Sequence, residues 1–183
     1  MHRDADKPVE TVWAGRFIRT MVQGQWEYVG RARGIGAAVI LAIDDADRVV
    51  LVEQYRVPLG QRCLEMPAGL VGDEDADEPL LDAANRELEE ETGYRARAVE
   101  SIGLFHSSPG MVTEGFTLVR ATGLEKVGPG GGHDDERIEV HLVPRAEIPA
   151  FVAAKRAAGI AIDVKMLLLL ADSLLSPQAT RPG

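Results

Sequence analysis

The sequence predicts a single α/β domain, and three observations lead to this prediction. The chain has 183 residues, which is a usual length for one domain. Hydrophobic residues make up 45% of it, so a core can form without disulfides or a structural metal. Runs rich in β-branched and aromatic residues lie on both sides of a segment with helical periodicity, and two more helical segments close the chain.

The N-terminal part is predicted to form strands. Residues 11–29 carry aromatic and β-branched side chains interrupted by glycines, which predicts two short strands and a turn. Residues 35–43 are almost continuously apolar and predict a strand that is buried on both faces. A polar turn at 44–47 and an apolar run at 49–55 complete a predicted β-hairpin.

Residues 79–92 are predicted to form a helix. Leu81, Ala84 and Leu88 recur at spacings of three and four, which places them on one helix face. Gly93 is expected to end the helix, because glycine readily adopts the left-handed conformation found after the last turn.

Three further strands and two helices are predicted after this helix. Residues 98–105, 116–121 and 138–143 have strand-like composition. Residues 145–158 and 163–175 have the pattern of helices. No internal repeat or long linker divides the chain.

The composition excludes several functions. The formal net charge is -9, with 20 Lys and Arg against 29 Asp and Glu, so a basic face for nucleic acid is not expected. No apolar run approaches the roughly 20 residues that span a bilayer, and no secretory signal is visible, so no membrane association is expected. The single cysteine, Cys63, cannot form an internal disulfide, which is consistent with a cytoplasmic location.

The acidic end of the predicted helix is the sharpest feature of the sequence. Glu87, Glu90 and Glu91 lie at i, i+3 and i+4, so three carboxylates can converge. They repel one another, and the helix dipole disfavours anions at this end. One interpretation is a solvated acidic face bridged by Arg86. The other is a metal site, because clustered carboxylates are the ligands that Mg²⁺ accepts, with Mn²⁺ as a possible substitute.

The wider segment resembles the signature of the Nudix hydrolase family. Seven positions that require one residue type keep the family's spacing: Gly72, Glu78, Arg86, Glu87, Glu90, Glu91 and Gly93. A chance match at a given register is on the order of one in 10⁸. Gly69 is an alternative to Gly72 as the signature glycine, in a register with a longer loop before Glu78. The resemblance covers residues 12–175.

This resemblance implies an α/β/α sandwich around a mixed β-sheet with a short N-terminal β extension. Residues 1–30 would be N-terminal strands that contribute to a dimer and to the substrate pocket. Residues 31–183 would form the Nudix hydrolase domain. Members of the family hydrolyse a nucleoside diphosphate linked to another group.

The resemblance also implies roles around the acidic helix. Glu87 and Glu91 would hold Mg²⁺, with help from Glu90 and from the backbone carbonyl of Ala68. Arg86 would orient the glutamates. A bound cation would polarise the phosphoryl oxygens and lower the pKa of a coordinated water, so no nucleophilic side chain is needed.

Four other segments resemble the branch that hydrolyses ADP-ribose and other nucleoside diphosphate sugars: 53–56, 64–69, 108–114 and 134–140. The residues that this resemblance implies in substrate binding are Arg56, Glu65, Ser108, Gly110, Glu114, Trp26 and Tyr28. Arg56 would contact the diphosphate as a planar bidentate donor. Trp26 and Tyr28 can stack on a nucleobase or belong to an ordinary core.

The general base of this branch is a carboxylate on a loop after the signature helix. Alignment on residues 138–140 implies Asp134 in this role, with Glu136 as the alternative, because relatives usually have glutamate where Asp134 stands. The glycines at 130–132 are expected to give the loop the freedom to close over substrate.

Two substrates and three other functions stay open. The segment at 65–69 favours ADP-ribose, cleaved to AMP and ribose 5-phosphate, whereas those at 112–114 and 130–132 resemble GDP-mannose hydrolases. Members of the branch are homodimers that exchange N-terminal strands, so a homodimer is expected. The alternatives are a nucleotide sensor without activity, a pyrophosphatase of nucleoside triphosphates, and an isomerase with Cys63 as its active-site residue.

Overall fold

The computed structural model describes residues 2–32, 35–72, 77–132 and 136–175. These residues form strands β1 (Val9–Ala14), β2 (Ile18–Gln23), β3 (Trp26–Arg31), β4 (Gly36–Ala42), β5 (Arg48–Arg56), β6 (Gln61–Glu65), β7 (Ala68–Val71), β8 (Tyr94–His106), β9 (Gly115–Lys126), β10 (Glu139–Pro144) and β11 (Ala161–Ile162). The helices are α1 (Leu80–Thr92), α2 (Ile148–Ala157) and α3 (Leu167–Leu175). Short 3₁₀ turns lie at Val57–Leu59, Arg145–Glu147 and Val164–Met166. Among the described residues, no helix is both long and apolar enough to cross a bilayer.

Two mixed four-stranded sheets form the centre of the fold. One has the order β10-β5-β6-β11 and the other β7-β4-β9-β8. In the first sheet β11 runs parallel to β6, and in the second β4 runs parallel to β9, while the other pairs are antiparallel. Strands β1–β3 form a separate antiparallel sheet at the N-terminus.

Helices cover the central sheets on both sides, which confirms the predicted α/β/α arrangement. Ala84 and Leu88 of α1 pack with Ile40 in one core cluster. Val152 of α2 and Leu170 of α3 belong to the other cluster, which Val39, Leu41 and Leu64 also enter. Successive residues of β4 therefore face opposite cores, as alternation along a strand requires. The continuous apolar run in this segment is explained by that double burial.

The predicted helix over 79–92 is confirmed within one residue. It begins at Leu80 after Pro79 and ends before Gly93, whose φ of 71° is left-handed. The Gly93 N–H donates to the carbonyl of Glu89 at 2.7 Å. Glycine is required at this position, because a Cβ atom would overlap the carbonyl of Gly128.

The predicted hairpin of β4 and β5 is wrong. These strands lie in different sheets, and an isolated bridge between Ile43 and Val49 joins the residue after β4 to β5. Asp44 accepts hydrogen bonds from the N–H groups of Ala46 and Arg48, and the turn carries the chain from one sheet to the other. Both edges of β4 are already occupied, by β7 and β9.

The structure also has more strands than the sequence pattern predicts. The segment predicted as two strands contributes to β1, β2 and β3, with turns on both sides of β2. The sequence pattern does not predict strands β6, β7 and β11, because short runs that contain polar residues or glycines show no clear alternation.

Candidate active site

The acidic end of α1 lines a cavity of about 650 Å³ between the two central sheets and the segment before α3. Glu87, Glu90 and Glu91 all lie in its wall, as their helical spacing predicts. Arg86 lines the same wall. The convergence of the three carboxylates is therefore a feature of the folded chain.

Arg86 ties these carboxylates together. Its Nε and Nη2 atoms donate to the two carboxylate oxygens of Glu78, each at 3.1 Å. Its Nη1 atom lies 3.1 Å from Glu90 Oε2 and 3.1 Å from Glu87 Oε1. The hydrogen bonds to Glu78 are the largest cause that raises the pKa of Arg86. One planar guanidinium thus fixes three carboxylates in place.

Glu91 is the most deeply buried of the three cavity-lining glutamates of α1, with 8% of its surface exposed. Its Oε2 atom accepts a hydrogen bond of 3.1 Å from the Ala68 N–H. Burial raises its pKa to about 8, and the charges of Glu87 and Glu136 add to that rise. Positive charge beside Glu91 would therefore favour its ionised form, and a divalent cation bound there would supply such charge.

Glycine at 69 allows the strand to approach the metal-ligand candidate Glu87. A Cβ atom at this position would overlap the Glu87 carboxyl group, with its Oε2 atom among the nearest neighbours. Glycine is therefore needed at position 69, because a side chain there would overlap the acidic cluster. Gly72 lies at the end of the described segment with a left-handed φ of 84°, so glycine is favoured at the two positions for different structural reasons.

The donor set fits a hard divalent cation. Glu87, Glu90 and Glu91 offer only carboxylate oxygens, and the backbone of Ala68 lies beside them. Oxygen-only sites of this kind suit Mg²⁺ or Mn²⁺ rather than metals that prefer nitrogen or sulfur. Which of these atoms coordinate the ion is a prediction.

Arg56 and Glu65 form an ion pair in the cavity wall, in which Glu65 is buried and Arg56 is partly exposed. The Nε and Nη2 atoms of Arg56 each donate to one carboxylate oxygen of Glu65, both at 2.7 Å. This pairing is the largest cause that raises the pKa of Arg56. The two parallel hydrogen bonds hold the guanidinium plane of Arg56 in one orientation. This orientation also sets the direction of its Nη1 atom.

Glu114 also lines the cavity, and its partner is a residue that the sequence reasoning missed. Arg31, at the end of β3, donates through Nε to Glu114 Oε1 at 2.7 Å, and through Nη2 to the same atom. The N-terminal sheet thus brings a cation to the cavity. The sequence pattern of this segment singles out its aromatic residues, and nothing local distinguishes Arg31 from a surface arginine.

A second missed pair lies where the chain enters α3. The backbone N–H and the ammonium of Lys165 both donate to the Asp163 carboxylate at 2.7 Å. Both residues line the cavity. Asp163 is a typical N-cap residue, which is a visible signal for a helix start. No local pattern indicates that this helix start faces the acidic cluster.

Of the two loop carboxylates, the structure places one at the site. Glu136 lines the cavity with Glu90 and Glu91. Asp134 lies outside the described residues. The choice between the two as general base stays a prediction.

The aromatic residues predicted to bind a base lie in a different cavity of the same chain. Trp26, Tyr28 and Gly110 line a separate space of about 410 Å³. The loop that contains Gly110 docks on the N-terminal sheet, because Val29 N–H donates to Met111 O at 2.9 Å. Within one chain, these side chains do not meet the acidic cluster.

Ser108 lines neither of these cavities. Its carbonyl accepts hydrogen bonds from the N–H groups of Met111 and Val112, both at 2.9 Å, so it organises the turn. Its neighbour Ser107 lines the acidic cavity instead. The predicted contact of Ser108 with substrate is untested.

A further acidic group lies where β5 and β10 meet α2. Ligand atoms of Glu53, Glu139 and His141 lie within 4.8 Å of one another, so the group can hold a metal. Both Glu53 oxygens already accept hydrogen bonds of 2.6 Å, from Arg62 and from Lys155. These cations neutralise the carboxylate, and the network joins α2 to the sheet.

Cys63 is unsuited to act as a nucleophile. It is 3% exposed and does not line the acidic cavity. Burial raises the pKa of its thiol to about 12, so the reactive thiolate is not formed near neutral pH. The isomerase alternative therefore has no support at this residue.

Comparison with known proteins gives one family. The family model of the NUDIX domain matches residues 32–164. A methanol dehydrogenase activator from Bacillus methanolicus is 34% identical over 154 residues, which cover 80% of this chain and 82% of the relative. A GDP-mannose pyrophosphatase from Cronobacter sakazakii is 39% identical over 147 residues, which cover 75% of this chain and 72% of the relative.

Two further matches carry ADP-linked names. An ADP-ribose pyrophosphatase from Mycobacterium tuberculosis is 38% identical over 113 residues, which cover 61% of this chain and 54% of the relative. The crystal structure of an ADP compounds hydrolase matches with a TM-score of 0.68 and 25% identity, and the match covers 91% of each chain.

Proposed function

The chain belongs to the Nudix hydrolase family and is a Nudix pyrophosphatase, and on this premise we propose that it hydrolyses the diphosphate bond of a nucleoside diphosphate sugar. ADP-ribose is the proposed substrate, cleaved to AMP and ribose 5-phosphate. The names of the M. tuberculosis relative and of the ADP compounds hydrolase support this substrate.

One observation carries the proposal. A single cavity combines the carboxylates of the three α1 glutamates (Glu87, Glu90 and Glu91) with guanidinium and ammonium groups from three other parts of the chain: Arg31, Arg56 and Lys165. Carboxylates alone would repel a diphosphate, and cations alone would not recruit a metal. Their combination suits a substrate that is bound through its phosphates and through a divalent cation together.

Glu87, Glu90 and Glu91 are proposed to hold the cation, with the Ala68 carbonyl as a further ligand. When bound, a divalent cation polarises phosphoryl oxygens and makes a coordinated water acidic. Arg86 keeps the glutamates in register through the contacts described above. This arrangement needs no covalent intermediate on the protein.

Arg56 is proposed to bind the diphosphate. Its guanidinium plane is fixed by Glu65, so it meets a phosphate with little loss of side-chain entropy. Glu65 acts through Arg56 in this proposal. Glu114, held by Arg31, is proposed to accept hydrogen bonds from hydroxyl groups of the terminal sugar.

Glu136 is proposed as the general base, because it is the described loop carboxylate that lines the cavity. Its task is to accept the proton of the attacking water. Asp134 is the alternative. Separate Glu136→Gln and Asp134→Asn variants distinguish them, since loss of the base lowers kcat by roughly 10²–10⁴-fold.

A homodimer is also proposed, in which the N-terminal sheet of one copy completes the site of the other. Val12, Trp13 and Phe17 are large apolar residues with more than half of their surface exposed, and Phe17 reaches 64%. Exposed apolar clusters of this kind are typical of interfaces. A second copy would bring Trp26 and Tyr28 to the acidic cavity, where they can stack on a base.

Light scattering after size-exclusion chromatography tests this assembly. Phe17→Asp is expected to give a monomer with a raised KM for the nucleotide sugar. Leu174→Asp is the control, because Leu174 is also exposed, at 58%, but lies in α3. A monomeric wild type would contradict the proposed dimer.

The protein is also proposed to be located in a reducing cytoplasm.

A substrate panel tests the proposed reaction. ADP-ribose, GDP-mannose, ADP-glucose, UDP-glucose and a dinucleotide are each incubated with the protein and Mg²⁺, and nucleotide products are separated by chromatography. AMP from ADP-ribose is the expected main product. GMP from GDP-mannose at a higher rate would favour the second candidate, which the C. sakazakii relative supports. No product from any sugar nucleotide would refute the proposal.

A further inference from the structure

The glycine-rich segment 128–132 closes the C-terminal end of α1. The last carbonyl groups of a helix have no partners within it. Here the Gly131 N–H donates to Glu91 O at 2.8 Å, and the Gly132 N–H donates to Glu90 O at 3.0 Å. The Lys126 ammonium donates to Thr92 O at 2.7 Å. The backbone of the two glutamates is therefore held from outside the helix.

The approach is too close for a side chain. A Cβ atom on Gly130 would lie 2.6 Å from Gly93 N and even closer to the Thr92 carbonyl carbon. The φ angle of Gly130 is 70°, which other residues rarely adopt. By contrast, a Cβ atom on Gly128 would meet no atom within 4 Å, and its backbone is not left-handed. A side chain at position 130 would therefore clash with the helix end, whereas a side chain at position 128 would not.

The same segment also fixes the chain that carries Glu136. The Gly131 carbonyl accepts a hydrogen bond of 3.2 Å from the Ile138 N–H. One residue, Gly131, therefore contacts α1 through its N–H and the residue before β10 through its carbonyl. Between these two anchors, Glu136 faces the cavity that Glu90 and Glu91 line.

We propose that Gly130, Gly131 and Gly132 are positioning residues of the active site, a proposal that rests on the proposed metal-dependent hydrolysis. They set the distance between the glutamates of α1 and Glu136 through their backbone. The sequence predicts that these glycines free a loop to close over substrate, and the hydrogen bonds of Gly131 and Gly132 add an anchor on α1. Glycine is needed here because the backbone docks on the helix end.

Three variants test this role. Gly130→Ala introduces the steric conflict, and Gly128→Ala is the matched control in the same segment. Lys126→Met removes the hydrogen bond from the ammonium to Thr92 while keeping the aliphatic chain. If Gly130→Ala does not fold, Lys126→Met replaces it in the measurements. Folding is checked by circular dichroism and thermal unfolding, and later measurements are made well below each Tm.

Metal affinity is the first measurement, with Mn²⁺ as the probe in calorimetry. Displacing groups that orient metal ligands typically weakens binding by roughly 10–100-fold, so Gly130→Ala is expected to lose about tenfold while Gly128→Ala stays within about twofold of wild type. On the sugar nucleotide that wild type cleaves, Gly130→Ala is expected to lower kcat far more than it changes KM. A variant in which the loop is merely destabilised would not lower kcat so much more than it changes KM.

Hydrogen exchange by NMR is the second measurement and needs no turnover. The Gly131 and Gly132 amides are expected to be protected in wild type and to exchange faster in Gly130→Ala. Free exchange of these amides in wild type would overturn the proposal, as would Mn²⁺ affinity in Gly130→Ala equal to wild type. Absence of product from wild type, with protected amides and tight Mn²⁺, would instead refute the proposed substrate and leave the positioning role supported.

Discussion

Replacement of Glu91 by glutamine is predicted to change how stability depends on pH. Burial raises the pKa of Glu91 from 4.5 to about 8 in the metal-free protein. Between these two values the folded state holds a proton that the unfolded state has released. The free energy of unfolding of the metal-free wild type therefore falls as pH rises through this window.

The size of the effect follows from the shift. At about 1.36 kcal/mol per pKa unit, the loss between pH 5 and pH 9 is on the order of 3–5 kcal/mol. Glutamine has nearly the same shape and no charge, so Glu91→Gln avoids this loss. The variant is expected to match wild type at pH 5 and to exceed it at pH 9.

Urea unfolding with EDTA at pH 5, 7 and 9 measures this difference. Glu89→Gln is the control, because Glu89 lies outside the acidic cavity and pairs with Arg95 at 2.7 Å. A wild type and a Glu91→Gln variant with the same slope between pH 5 and pH 9 would refute the reasoning. Since metal binds the ionised carboxylate, Mg²⁺ binding to wild type at pH 7 is also expected to release protons, which calorimetry in two buffers detects.

Three other changes have distinct expected outcomes. Arg56→Lys keeps the charge but loses the fixed guanidinium plane, so kcat/KM for ADP-ribose is expected to fall by roughly 10–100-fold in steady-state assays, and an unchanged value would argue against phosphate contact. Glu136→Gln is expected to lower kcat by roughly 10²–10⁴-fold with Mn²⁺ affinity retained, and wild-type kcat would exclude it as the base. Gly69→Ala pushes on the Glu87 carboxyl group and is expected to weaken Mn²⁺ binding by about tenfold in calorimetry, whereas Gly36→Ala, whose nearest contact is 3.8 Å, should bind normally.

The features predicted correctly from sequence depend on local pattern. The helix over residues 79–92 could be predicted because its apolar periodicity and its final glycine are both short-range signals. The three glutamates reach one cavity because they lie on a single helix, so their spacing alone brings them together. The continuous run at 35–43 correctly indicated burial on both faces.

The features that failed depend on contacts between distant parts of the chain. The hairpin prediction joined β4 to its neighbour in sequence, whereas its partners in the sheet are β7 and β9. Arg31 and Lys165 enter the cavity because the N-terminal sheet and the start of α3 pack around it. No pattern near either residue carries that information, since a single basic side chain is common on any surface.

The same distinction explains the glycines of residues 130–132. Their composition is typical of a flexible loop, and only the position of the α1 terminus reveals that their amides have partners there. The net charge of -9 is likewise uninformative until its location is known. Part of it lines a cavity that also contains basic side chains, so overall acidity does not argue against a phosphate-containing substrate.

The most direct test of the central claim is the stoichiometry of ADP-ribose cleavage by wild type with and without Mg²⁺. Quantitative chromatography should find AMP and ribose 5-phosphate in equal amounts with Mg²⁺, no product with EDTA, and recovery when Mg²⁺ is restored. Undiminished cleavage in EDTA, or products other than this pair, would contradict metal-dependent hydrolysis of the diphosphate bond.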